Sequence, residues 1–208
     1  MALVSKLAIA GWVLVMGISL PAFAAAGVSI TPDLVIQSSQ LKPCEKGLSH
    51  DCIKVEVKLS VDAPVDVVWQ VITDYANSAS FISNLKSSSQ TITGPNSLVV
   101  TQVGKVGWHY LNLEIKTVYQ VSLNPAEKTI QSFSIGGDLK KVNMSSQLKA
   151  TPNGGSVLEY TLITDPGPWA PLPLTEELLK RQALQSFTDL NREILKRAHS
   201  NSPTGPKI

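Results

Sequence analysis

The stretch VDAPVDVVWQVITDY, residues 61–75, contains the change of period that decides the fold. Just before it, Val55, Val57, Leu59 and Val61 alternate with Lys54, Glu56, Lys58 and Ser60, the period of two that a half-buried strand requires. Pro64 must end that strand, because it has no N–H for a ladder, and its fixed φ suits the first turn of a helix. From there Val65, Val68, Trp69 and Ile72 fall at i, i+3, i+4 and i+7, one face of a helix. Asp62 and Asp66 place negative charge near that helix's positive end. Thr73-Asp74 predicts a break and a new N-cap, with Tyr75, Phe81 and Ile82 available to pin a second short helix.

Downstream the pattern returns to two. Leu98, Val99, Val100 and Val103 mark a strand, and Leu111, Leu113, Ile115, Tyr119 and Val121 alternate in the next, which Asn124-Pro125 turns. Ile130 to Ile135 predicts another, and Gly136-Gly137-Asp138 a tight hairpin into a strand carrying Val142, Met144 and Leu148. A further hairpin at Pro152-Asn153-Gly154-Gly155 leads to a strand from Val157 to Thr164, with Leu158, Tyr160 and Leu162 on one side. The run DPGPWAPLPLT, residues 165–175, is too rich in proline for either regular structure and reads as a crossing loop. A long helix follows, with Leu174, Leu178, Ala183, Phe187, Leu190, Ile194 and Ala198 as its apolar stripe. Residues 28–42 read as mixed, with a strand-like run at Leu34-Val35-Ile36.

This order implies an α+β domain. A curved antiparallel sheet of about seven strands carries two short helices after its first strand and a long C-terminal helix over its concave face. Such a sheet cannot close its concave face on itself, so an apolar hollow between helix and sheet is expected. The same order, with the VDAPVDVVWQVITDY signature, the aromatic Phe81 and the proline-rich run before the last helix, resembles the START-like superfamily, also called SRPBCC. Within it the chain looks most like the polyketide cyclase/dehydrase and coenzyme-Q-binding branch, from Ile53 to Ala198. The resemblance implies the helix-grip fold. It also implies a hollow that in various members holds lipids, quinones, sterols or polyketides, some members catalysing cyclisation or dehydration there.

Other segments bear on compartment. Lys6, the apolar run from Leu7 to Leu20, Pro21 and Ala22-Phe23-Ala24 follow the basic, apolar, small-residue order of a secretory signal peptide cleaved after Ala24. The run is shorter than the roughly 20 residues that span a bilayer, which argues against an uncleaved anchor. The chain therefore divides into a signal peptide over 1–24, an N-terminal arm over 25–53, a START-like domain over 54–199 and a disordered tail over 200–208. Lys6 aside, 17 basic residues face 16 acidic ones, a balance that gives nucleic-acid binding no support. Cys44 and Cys52 bracket a short loop. In an exported, periplasmic chain their natural reading is a local disulfide. A metal site with His50 would have only three ligands. Export and the cysteine-bearing arm depart from the intracellular pattern usual in the superfamily.

The chain holds no Gly-rich phosphate cradle, no HExxH helix and no GxSxG elbow, and neither a metal nor a cofactor is expected. His109, in GWHYLNLE, and Tyr160 are the candidates for proton transfer; Glu114 lies five residues along the strand from His109, too far to orient it directly. Leu113, Ile115, Tyr119, Met144, Tyr160 and Phe187 fall on predicted inner faces, where they either line a hollow or fill an ordinary core. Trp69 reads as core. Trp169, in the proline-rich loop, is a candidate lid or membrane-interface anchor for transient surface contact. Three functions follow. One is an exported carrier of an apolar small molecule, such as a lipid or quinone, with no covalent step. Another is a cyclase or dehydratase-type enzyme using the same hollow. The last is an envelope interaction module, to which the charged outer face of the first strand offers no apolar patch.

Overall fold

The computed structural model describes residues 28–31, 33–41, 44, 51–108, 111–139, 141–166 and 172–201. The expected signal peptide and its expected cleavage site, His50, His109, Trp169 and residues 202–208 lie outside the described residues. Three strands open the fold: β1 (Val28–Thr31), β2 (Leu34–Leu41) and β3 (Cys52–Val61). Helix α1 (Val65–Ile72) and a 3-10 helix (Tyr75–Ser80) follow. Then come β4 (Leu85–Gly94), β5 (Ser97–Trp108), β6 (Leu111–Asn124), β7 (Thr129–Gly137), β8 (Val142–Ala150) and β9 (Ser156–Thr164), and helix α2 (Leu172–Asn201) closes the chain's described part. All pairs are antiparallel, and the sheet order is β1-β2-β3-β9-β8-β7-β6-β5-β4.

The period change at Pro64 is realised as expected. Pro64 occupies the N-cap of α1, where its carbonyl accepts the Val67 and Val68 N–H groups at 3.0 and 3.1 Å. Thr73 ends the helix, giving both its N–H and its hydroxyl to the Trp69 carbonyl, at 3.1 and 2.7 Å. Asp74 begins the 3-10 helix, but its carboxylate accepts from the Asn77 side chain at 2.8 Å and caps no backbone N–H.

The main core lies where α1 and α2 meet the β2-β3-β9 end of the sheet. Val55, Val57, Leu59 and Val61 of β3 are buried there with Val68, Val71, Leu158, Phe187 and Ile194. Each fully buried aliphatic side chain contributes about 1.5–3 kcal/mol, so these residues define which face of the sheet is concave. A second cluster of Leu98, Val100, Val121 and Ile130 sits across the sheet, and Trp69 and Ile72 of α1 pack against both.

The sheet has nine strands among the described residues, against the seven or so expected. The leading arm supplies β1 and β2, where the sequence marks only a strand-like run at Leu34-Val35-Ile36; β2 pairs with β3 from Leu34↔Leu59 to Leu41↔Cys52, and it buries Leu34 and Ile36. The sequence marks no strand over β4, an edge strand whose Ser, Gln and Thr side chains mostly face water and so carry no apolar alternation to read. Between β2 and β3 a disulfide joins Cys44 to Cys52, with Cα atoms 5.2 Å apart. In α2 the inward stripe runs Leu179, Ala183, Phe187, Leu190, Ile194, Ala198, so Leu179 replaces Leu178. Four-residue steps back from Phe187 reach Ala183 and Leu179, which puts Leu178 a third of a turn off the stripe. Ser200 and Asn201 belong to this helix rather than to the tail.

Candidate binding cavity

Helix α2 roofs the concave face without filling it. Two cavities of about 240 and 280 Å³ remain, and they share Leu85, Gln102, Tyr119, Met144, Tyr160, Ser186 and Phe187 as common wall. They are adjoining lobes of one hollow. The first lobe lies under the plug formed by α1 and the 3-10 helix, between Val71, Ile72, Tyr75 and Phe81 on one side and Val121, Ile130, Ser132 and Leu158 on the other. The second extends along β6 and α2, past Val55, Val106, Ile115, Leu162, Leu179 and Ala183.

Sheet irregularities border the hollow. A register shift between Val118 and Tyr119 in the β6–β7 pair adds local twist. The β7–β8 pairing extends only from Thr129↔Gln147 to Phe133↔Asn143, and past it Val142 N–H donates to the Ser134 hydroxyl at 3.0 Å. Leu139, on the connection between those strands, turns into the second lobe.

Polar side chains lock the roof and the plug together. Asp189 of α2, 2% exposed, accepts the Ser83 N–H at 2.9 Å and hydroxyl at 2.5 Å, Gln185 Nε2 at 3.1 Å and Arg192 at 2.8 Å. Burial alone would raise the Asp189 carboxyl, but these donors outweigh it and hold it below the usual range. Beside it, the Asn84 amide donates to Gln182 Oε1 at 2.6 Å and to Ser186 Oγ at 2.9 Å. Arg197 reaches from α2 to Asp74 at 3.0 Å while its guanidinium lies 5.4 Å from the Phe81 ring centre.

Among the described lining residues Asp74 is the single charged one, and it is already engaged by Arg197 and Asn77. The remaining polar lining residues are uncharged amides and hydroxyls, three tyrosines among them. Burial pushes the Tyr75 hydroxyl up to about 12 against a hydrogen bond with Ser132, and it raises Tyr119 in the same way against one with Thr117. Tyr160 is raised furthest, by burial first and then by the nearness of Tyr119 and Tyr75. These phenols therefore stay protonated at any physiological pH. They can donate hydrogen bonds, and none is poised to accept a proton.

Ile115, Tyr119, Met144, Tyr160 and Phe187 stand in the wall of the hollow, as their alternation predicts. Leu113 does not. It shares the parity of Ile115 but lies near the start of β6, is 54% exposed and lines neither lobe. Trp69 is core, and Lys128 stacks 5.3 Å over its ring. Glu114 is paired with Lys86 at 2.7 Å on the exposed edge. Gln102, Asn84, Ser83 and Asp189 escaped sequence reasoning, since isolated polar residues between apolar ones give no periodic signal. Among the described residues no cluster of three or more metal-ligating side chains occurs, and no helix is long and apolar enough to cross a membrane.

A curved antiparallel sheet gripped by a C-terminal helix around an internal hollow defines the START-like, helix-grip class. The chain belongs to the family of polyketide cyclase/dehydrase and lipid transport proteins, which it matches over residues 53–194. No curated protein sequence matches it. Solved structures share the fold at low identity. A STAR-related lipid transfer protein from Xanthomonas axonopodis superposes with a TM-score of 0.64 at 12% identity, covering 82% of this chain and 98% of that one. The Zhui aromatase/cyclase from a Streptomyces species gives 0.65 at 15% identity, covering 74% and 99%. A START superfamily protein from Mycobacterium smegmatis gives 0.58 at 15% identity, covering 69% and 98%.

Proposed function

We propose that this protein is an exported, periplasmic carrier that binds an apolar small molecule, such as a lipid or quinone, between sheet and helix without a covalent step. One observation carries the reading: a two-lobed hollow of about 240 and 280 Å³ whose described wall is mostly aliphatic and aromatic, with hydroxyls and amides as its neutral polar groups and its one carboxylate already ion-paired. The family's description, which includes lipid transport, agrees with it. Export is supported by the leader-like order of residues 6–24 and by the Cys44–Cys52 disulfide, a bond favoured in oxidising compartments. The proline-rich segment bearing Trp169, which leads in sequence into α2, is the proposed point of contact with the membrane surface during loading. The cyclase reading would ask Tyr160 to move a proton, and burial, which raises its hydroxyl, opposes its acting as a base.

The test is organic extraction and mass spectrometry of protein recovered from the exported fraction of expressing cells. A co-purifying apolar molecule at appreciable occupancy, or its uptake on incubation, is the expected result. An empty protein that takes up no apolar molecule would overturn the carrier reading.

A further inference from the structure

The hollow's polar groups are unevenly satisfied. Ser132 offsets part of the burial of the Tyr75 hydroxyl and Thr117 part of that of Tyr119, while Gln102 directs its amide N–H groups to Ser78 at 3.3 Å and Ser88 at 3.2 Å. Tyr160 differs. Its hydroxyl has no hydrogen-bond partner among the described residues, yet it is not sealed off in packed protein, because its side chain walls both lobes and keeps accessible surface there. A lone buried donor facing an apolar space is costly unless something in that space accepts from it.

The position is rigid. Tyr160 lies on β9 between Val57 of β3 and Ser146 of β8, and its ring rests against Phe187 at 5.2 Å and 58°. The acceptor must also be uncharged. No cation lines either lobe among the described residues, so a carboxylate or phosphate in the hollow would be left buried and unpaired.

We infer that Tyr160 is a specificity-determining residue, which donates a hydrogen bond to a neutral carbonyl oxygen on an otherwise apolar ligand. The inference rests on the carrier reading above and narrows it to ketones, esters and similar molecules, against plain hydrocarbons and free acids.

Three probes of nearly equal shape separate these classes: 2-acetylnaphthalene, 2-ethylnaphthalene and 2-naphthoate, titrated into the wild-type protein and into Tyr160→Phe by calorimetry. Wild type should prefer the ketone to the hydrocarbon by about five- to ten-fold, the effect of one net hydrogen bond, and should bind the naphthoate weakest. Tyr160→Phe should keep its affinity for the hydrocarbon and lose the preference. Infrared spectroscopy supplies a readout in wild type alone, since the ketone's carbonyl stretch should shift to lower frequency on binding. Equal affinity for ketone and hydrocarbon in wild type, which would mean that water serves the hydroxyl, overturns the inference and leaves the carrier reading standing. So does an unchanged preference in Tyr160→Phe, an unshifted carbonyl stretch, or tightest binding by the naphthoate. Failure of all three probes to bind, with no apolar molecule extracted, would sink both readings together.

Discussion

The Tyr160 ring on β9 meets the Phe187 ring on α2 with centroids 5.2 Å apart and planes at 58°, so sheet and roof touch through the wall that both lobes share. Replacing Phe187 with alanine removes that wall. Phe187 is only 8% exposed, and a truncation of this size costs about 3 kcal/mol. Urea unfolding should show the loss, and the variant should accept bulkier ligands than wild type. A cost below about 1 kcal/mol would mean that the ring does not hold sheet to helix.

Asp189 joins the roof to the plug, and its protonation should be felt in stability. Its folded-state carboxyl is held below the ordinary value, so its contribution is complete above the unfolded value near 3.9 and is lost as pH falls through the lower, folded one. Asp189→Asn should therefore cost about 2 kcal/mol at neutral pH, and the gap between variant and wild type should narrow below about pH 4. Unfolding curves collected from neutral to acid pH give the comparison. A gap that does not narrow in acid would show that the carboxylate's charge is not what the four donors hold.

The disulfide closes a short loop, with eight positions from Cys44 to Cys52. On the chain-entropy account a loop of that length stabilises by about 2–3 kcal/mol. The paired Cys44→Ser, Cys52→Ser variant should unfold earlier in guanidinium by that amount. Wild type under reducing agent should behave likewise, and a variant as stable as the oxidised protein would speak against the staple.

Two glycines offer an internal comparison. Gly137 has φ +92°, and a Cβ there would lie 2.3 Å from the Lys116 carbonyl oxygen; Gly154 has φ +84° but open space around it. Gly154→Ala bears only the conformational penalty, about 1 kcal/mol. Gly137→Ala bears the collision as well and should cost about 2–3 kcal/mol. Equal melting temperatures for the two variants would refute this ordering.

The parts of the fold that alternate or repeat were legible in advance. Val55 to Val61, Val65 to Ile72 and the β6, β8 and β9 runs announce their own period, and from their order follow the sheet, the plug and the roof. What escaped has no period of its own. The β4 residues are polar because an edge strand buries little, and β2 gains its meaning from pairing with β3. The cavity wall was half legible. Tyr119, Met144, Tyr160 and Phe187 could be placed on inner faces, but whether inner faces enclose space or close on one another depends on three-dimensional distances. Leu113 failed for the same reason, since parity says which side a residue faces and nothing about how far the roof extends. Asp189 and Asn84 were invisible because their partners, Ser83 and Gln182, lie about a hundred residues away.

The Glu176 carboxylate, in the first turns of α2, takes hydrogen bonds from Ser38 and, at 3.3 Å, from Gln40, both on β2. The stretch shared with the family begins only at residue 53. The roof over the hollow is thus moored to a strand that its relatives' common sequence does not include. A chain trimmed to that matched stretch would keep the described lining residues of the hollow yet lose the latch that ties its roof to the sheet's leading edge.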